Sequence, residues 1–281
     1  MNEQNFEYLK DAIKYMGFGE TLRGELEKNL SEGKPEFQLY FATEFNKKPF
    51  EARLNFRKSD STEMYFLNNY HATMEKGNGE KVEQTFYINK GKGVTAKEAF
   101  NLLDGRAVHK DLVTKDGQGY KAWIQLDSES RDRNNNFEVK QYHENYGFDL
   151  PAALSRLAIS ELNDPQKSKD LVQSLQKGNL QSVTIEKEGS VHKMFVEADP
   201  KFKSVKLYDA QMKQVTKEGL AAYQSAGKEA GVKNVMEEGG TDKKKEKEPE
   251  LKPEKQRIEN KKQDGLLPKK REGARKGLGM S

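Results

Sequence analysis

Apolar residues at the start of the chain recur at helical spacing. Phe6, Leu9, Ile13 and Tyr15-Met16 predict a helix over about 3–16, broken by Gly17-Phe18-Gly19. Leu22, Leu26 and Leu30, four apart, put one apolar stripe on a second helix that runs to Gly33. Beyond Gly33 the period drops to two. Phe37, Leu39 and Phe41 are followed by the turn Asn46-Lys47-Lys48-Pro49 and then by Phe50, Ala52, Leu54 and Phe56, the alternation of half-buried strands. A polar loop leads to a third strand carrying Met64 and Phe66, with Tyr65 out of phase. Gly77-Asn78-Gly79 marks a hairpin turn to a strand over 82–88.

The same cadence returns twice. Leu30, Leu102 and Leu175 each stand three residues before a glycine, Gly33, Gly105 and Gly178, the signature of a helix stop at a left-handed C′ position. After Gly105 come Val108 and Leu112, the turn Asp116-Gly117-Gln118-Gly119, then Tyr120, Ala122, Ile124 and Leu126, then Phe137 and Val139. After Gly178 come Leu180, Val183 and Ile185, the turn Glu188-Gly189-Ser190, then Met194, Val196 and Ala198, then Val205 and Leu207. The pattern predicts an α+β protein of three small helix-plus-antiparallel-meander modules related by internal duplication. Chance recurrence of a common helix-glycine-hairpin unit is the other reading. The expected limits are 1–94, 95–148 and 149–235, with a disordered basic tail over 236–281.

Other signals fill in the joints. Thr95 with Glu98 is a capping box that starts the helix ending at Gly105. Asp149 before Leu150-Pro151 caps a further helix, and Asn163-Asp164-Pro165 starts the one bearing Leu171, Val172 and Leu175. A short helix carrying Leu220 and Tyr223 is expected within 216–231.

Charge changes the picture at the C-terminal end. Residues 239–281 hold 14 Lys and Arg against 8 Asp and Glu, a net of +6, while the whole chain is only +4. Residues 1–238 therefore carry about −2, and the positive balance belongs to the tail. Few apolar residues occur there, too few to offset the entropy of ordering. The chain has no cysteine, which excludes disulfides, thiolate nucleophiles and cysteine-ligated metal. No apolar run reaches membrane-span length, and the first ten residues lack a secretory pattern, so the expected compartment is the cytoplasm with no membrane partner.

The stretch LLDGRAVHKDLVTKDGQGYKAWIQLD, with FEYLKDAIKYMGFGETL and EQTFYINKG, resembles uncharacterised proteins of Bacteroidota. These are domains of unknown function found on conjugative and integrative elements, sometimes near or fused to a topoisomerase. The family pattern is Leu-x-x-Gly-Lys/Arg-x-Val, a glycine turn and an aromatic strand. Leu102, Gly105, Arg106, Val108, Gly117, Tyr120 and Ala122 match it, and the resemblance covers about residues 1–220. It implies mobile-element company, with a conjugation or topoisomerase-type protein as a partner. It carries over no catalytic residue.

Candidate chemistry is sparse. His71, His109, His143 and His192 show no HxxH or HExxH spacing. His71 and His143 follow tyrosines on matching strands. Stacked modules could bring them together, and a strand-surface position is the other reading. Lys90-Gly91-Lys92-Gly93 lacks the GxxxxGK[ST] of a phosphate cradle and reads as a loop. Asp127, Glu129, Asp132 and Asn134-Asn135-Asn136 lack the calcium-loop pattern and read as a solvated turn. No nucleophile-elbow motif occurs. Trp123 shares a polar strand face with Lys121 and Gln125. It can stack a nucleobase, or be covered by a helix of another module. The expected function is that of a non-enzymatic accessory protein, with no cofactor and no metal. It binds DNA or RNA weakly and with little sequence preference, through Lys269, Lys270, Arg271, Arg275, Lys276 and Trp123. The alternative is a protein-interaction scaffold with a solubilising tail.

Overall fold

The computed structural model describes residues 2–88, 93–187 and 189–224. The chain divides into two units, Met1–Ala230 and Gly231–Ser281, and the second lies outside the described residues. Residues 90–92 of the loop read over 90–93, and residues 225–231 of the helix expected over 216–231, also fall outside them.

Helix α1 (Glu3–Ile13) starts at Asn2, whose side chain accepts from the Asn5 amide, and buries Phe6, Leu9 and Ile13. A π turn at Lys14–Phe18 reverses the chain at Gly17, where φ is 85°. Helix α2 (Arg23–Ser31) comes next and buries Leu26 and Leu30. Strands β1 (Glu36–Phe45), β2 (Lys48–Lys58), β3 (Tyr65–Glu75) and β4 (Lys81–Tyr87) form an antiparallel meander in that order. Helix α3 (Ala96–Leu103) carries the expected capping box and closes the apolar face of this sheet.

Strand β3 corrects the expected phase. Tyr65 and Leu67 point inward at 4% and 7% exposure, while Phe66 is 49% exposed. Asn5 fixes the entry by donating to the Tyr65 carbonyl at 3.0 Å and accepting from its amide at 2.7 Å. A register shift between β2 and β3, where Phe56 faces Leu67 and Asn55 faces Asn69, then leaves Asn68 as an extra residue. That bulge flips the parity, so Tyr70, Ala72 and Met74 also face inward.

The middle sheet has the order β5 (Val108–Val113), β6 (Gly119–Arg131), β7 (Phe137–His143). Its two faces belong to different cores. Val108 and Ile124, with Leu112, Leu126 and Phe137, pack into the cluster of α1–α3 and β1–β4. Ala107 and Trp123, with Tyr142, pack into a second cluster formed with the elements C-terminal to β7. Those elements are α4 (Leu150–Leu154), α5 (Pro165–Gln176), β8 (Gln181–Lys187), β9 (Ser190–Asp199) and β10 (Ser204–Tyr208), before the one-turn α6 (Lys217–Leu220). The third sheet has the strand order β10-β9-β8, again antiparallel. The turn at 131–135 is exposed, as the sequence reading expects, and the residue that closes it, Asn136, docks against β4. Asn136, 8% exposed, accepts from the Thr85 amide at 2.8 Å, and Gln84 bonds the Phe137 backbone in both directions, which caps the edge of β4.

Gly33, Gly105 and Gly178 lie just past the ends of α2, α3 and α5 at φ of 69°, 83° and 77°. Beside each glycine the same side-chain bond occurs. The residue after it donates to the residue four before it: Lys34 Nζ to Asn29 Oδ1 at 2.9 Å, Arg106 Nη2 to Asn101 Oδ1 at 2.7 Å, and Asn179 Nδ2 to Ser174 Oγ at 3.0 Å.

Candidate functional site

Lys269, Lys270, Arg271, Arg275 and Lys276 lie outside the described residues. Trp123 lies inside them, and a stacking role for it is corrected by its surroundings. The ring is 6% exposed, edge-on to Phe148 at 5.2 Å and beside His109 at 5.2 Å. No nucleobase reaches its face without displacing Phe148. The cover comes from the segment leading into α4, so the covered-ring reading describes this residue.

His71 and His143 have separate partners. His71 Nδ1 lies 3.2 Å from Thr85 Oγ1 and its Nε2 lies 3.4 Å from Glu83 Oε2, whereas His143 stacks on Tyr120 at 5.3 Å. Among the described residues no group of three or more His, Cys, Asp or Glu could hold a metal ion.

A polar knot joins α3, β5 and the end of α5. Arg106 is 5% exposed and lies 5.5 Å over the Phe100 ring. Its Nε donates to the Gly178 carbonyl at 2.8 Å, its Nη2 to Asn101, and its Nη1 to Asp104, which also holds Lys48 at 2.5 Å. Asn101 Nδ2 in turn donates to the Lys177 carbonyl at 2.7 Å and to Asn179 Oδ1 at 3.0 Å. Three of the five guanidinium N–H donors therefore have partners within the chain, its charge is answered by Asp104, and at 5% exposure the group shows little surface to a ligand.

A second buried set lies on β9 and β10. Glu197 accepts from Lys206 Nζ at 3.0 Å and from the Tyr208 hydroxyl at 3.1 Å. Burial, then the neighbouring Glu197 charge, raises the Tyr208 hydroxyl far above the ordinary phenol range. Burial also raises Asp199, opposed by Lys206, while the Phe202 backbone hydrogen-bonds its carboxylate. This is an internally paired ion network.

The surface with unspent chemistry is the outer face of β1–β4. Tyr40 is 62%, Phe66 49% and Tyr87 43% exposed. Between them the register aligns Gln38, Asn55, Asn69 and Tyr87 across the four strands. Gln38 Nε2 donates to Asn55 Oδ1 at 2.8 Å, and Asn55 Nδ2 donates to Asn69 Oδ1 at 2.6 Å. In the adjoining row Tyr40, Arg53, His71 and Thr85 face one another. Arg53 is exposed and makes no ion pair among the described residues, and a depression of about 200 Å³ lies between Tyr40, Arg53, His71 and Thr73. Acidic residues outnumber basic ones on this face: Glu36, Glu44, Glu51, Glu75 and Glu83 against Arg53, Arg57 and Lys81. Sequence patterning missed this site because Phe66 reads as a core residue until the bulge is known.

The chain matches no protein family, no curated protein and no solved structure. Among the described residues no helix is long and apolar enough to cross a membrane.

Proposed function

We propose that this protein is a non-enzymatic accessory protein of a mobile genetic element. On this reading it works in the cytoplasm and associates weakly, with little sequence preference, with nucleic acid through Lys269, Lys270, Arg271, Arg275 and Lys276. The observation that carries this is the segregation of charge, +6 over 239–281 against about −2 before it. Polyanion binding needs clustered positive charge, and the tail carries a net +6. The paired polar sets around Arg106 and Glu197 support a non-catalytic reading, since their charges are answered internally. The partner we propose is DNA or RNA, together with a conjugation or topoisomerase-type protein that the sequence resemblance implies.

We also propose that the three meanders are copies of one unit. The shared glycine caps and the recurrent bond from the residue after each glycine to the residue four before it support this.

The burial of Trp123 favours a second reading for the body, a protein-interaction scaffold, because it removes the aromatic that the nucleic-acid reading would have used there. Affinity purification from the native host with and without nuclease separates the two. The nucleic-acid reading expects nucleic acid in the eluate and partners released by nuclease. The scaffold reading expects a protein partner indifferent to nuclease.

A further inference from the structure

Three regions hold chemistry that the tail does not use: the outer face of β1–β4, a cavity of about 420 Å³ near Asn5 and Lys58, and the buried network at Glu197. The cavity is lined by Tyr65, whose buried hydroxyl has no partner among the described residues, but Lys58 there is already paired with Glu63 at 2.6 Å. The Glu197 network is closed on itself. The sheet face goes furthest.

We infer that the outer face of β1–β4 is a platform for unpaired bases, taking single-stranded nucleic acid and rejecting duplex. This deepens the nucleic-acid reading and rests on it: the tail supplies phosphate contacts, and the sheet supplies base contacts. Three rings, Tyr40, Phe66 and Tyr87, stand on this face at 62%, 49% and 43% exposure. Such rings on a four-stranded antiparallel sheet stack bases, and every base offers a π face, so sequence matters little. The amide row adds edge chemistry. Gln38 and Asn55 spend one donor each along the row, which ends on Asn69 opposite Tyr87. Primary amides match the donor and acceptor edges of bases. Arg53, which makes no ion pair among the described residues and stands between Tyr40 and His71 in the register, is placed to meet a single phosphate.

Charge decides which form binds. A duplex hides its base faces and shows this surface a dense line of phosphates, which five glutamates against three basic residues repel. A single strand can splay its bases onto the rings and hold its phosphates away from the glutamates. The platform's contribution should therefore be nearly independent of salt, while the tail's falls steeply with it.

The test uses the full chain with a labelled oligothymidine strand and a blunt duplex of the same length. Wild-type protein should prefer the single strand. Replacing Tyr40, Phe66 and Tyr87 together by serine should cut single-strand affinity about fivefold or more and leave duplex affinity and the duplex salt slope unchanged. The three rings are exposed, so the melting point should hold. Should the triple variant lose its fold, photo-crosslinking of wild-type protein to a bromodeoxyuridine strand gives the second readout, with adducts expected at Tyr40 or Tyr87. Single-strand affinity unchanged in a folded triple variant, or crosslinks confined to the tail, overturns the platform while the tail reading stands. Loss of duplex binding on exchange of the five tail residues, with the ring effect intact, supports both. Absence of binding to either probe at low salt overturns the nucleic-acid reading and the platform with it.

Discussion

Arg106 Nη2 donates to Asn101 Oδ1 at 2.7 Å, across the glycine that ends α3. The same guanidinium reaches the Gly178 carbonyl at the end of α5, 72 residues later in the chain. One buried cation thus fastens the cap of one helix to the cap of another, where the two apolar clusters adjoin. Replacing Arg106 by methionine keeps the stem and removes the donors. It leaves the Asn101 and Gly178 oxygens short of a partner and Asp104 with Lys48 alone, and orphaned buried groups cost about 1–3 kcal/mol each. A loss of about 3 kcal/mol or more in urea unfolding is expected. A loss under about 1 kcal/mol would show that the knot is incidental.

The three helix-stop glycines should differ in tolerance. All have positive φ, which costs an alanine about 1–2 kcal/mol. At Gly33 and Gly105 an added Cβ meets nothing within 4 Å. At Gly178 it would lie 2.8 Å from both the Ala107 carbonyl oxygen and Val108 Cγ2. Gly178→Ala should therefore destabilise clearly more than Gly105→Ala or Gly33→Ala. Equal denaturation midpoints for the three would contradict this packing.

Trp123 is the only tryptophan, so its fluorescence reports on the second cluster alone. Native emission should be blue-shifted and should move to the red on unfolding. Trp123→Ala should cost about 3–5 kcal/mol, with affinity of the folded fraction for single strands unchanged. Native emission at the wavelength of free tryptophan would place the ring in water.

His109, against the Trp123 ring, gives a pH test. Burial lowers its pKa below the ordinary value of 6.5, with Lys121 adding to this and Asp111 and Glu144 opposing it. The folded state binds the proton less readily than the unfolded state. His109 therefore contributes stability that is present above pH 6.5 and is lost as pH falls through the lowered native value. The stability gap between wild type and His109→Gln should narrow on acidification through that window. A gap constant with pH would contradict it.

The glycine stops, the capping box at Thr95 and Glu98, the caps at Asp149 and Asp164 and most strand alternations were legible because each depends on neighbours in sequence. The outward turn of Phe66 was not, because a one-residue bulge at Asn68 inverts the parity of β3. The burial of Trp123 was legible as one of two readings, but the residue that covers it was not. Trp123 sits between Lys121 and Gln125 on a strand face that patterns as polar, and its cover, Phe148, arrives with the next segment. Arg106 was read as a motif match, but its partners at Gly178 and Asn101 come from packing between helix ends. The candidate face on β1–β4 emerged only from strand register, which aligns residues from four separate strands.

The central claim, nucleic-acid association carried by the basic tail, is tested most directly by the salt dependence of duplex DNA affinity. If about five phosphates are neutralised, log affinity should fall against log salt with a slope near −4 to −5 for the full chain. Exchange of Lys269, Lys270, Arg271, Arg275 and Lys276 for glutamine should flatten that slope, whatever the base composition. A slope that the five exchanges leave unchanged, or no measurable binding by the wild-type chain at low salt, would contradict the claim.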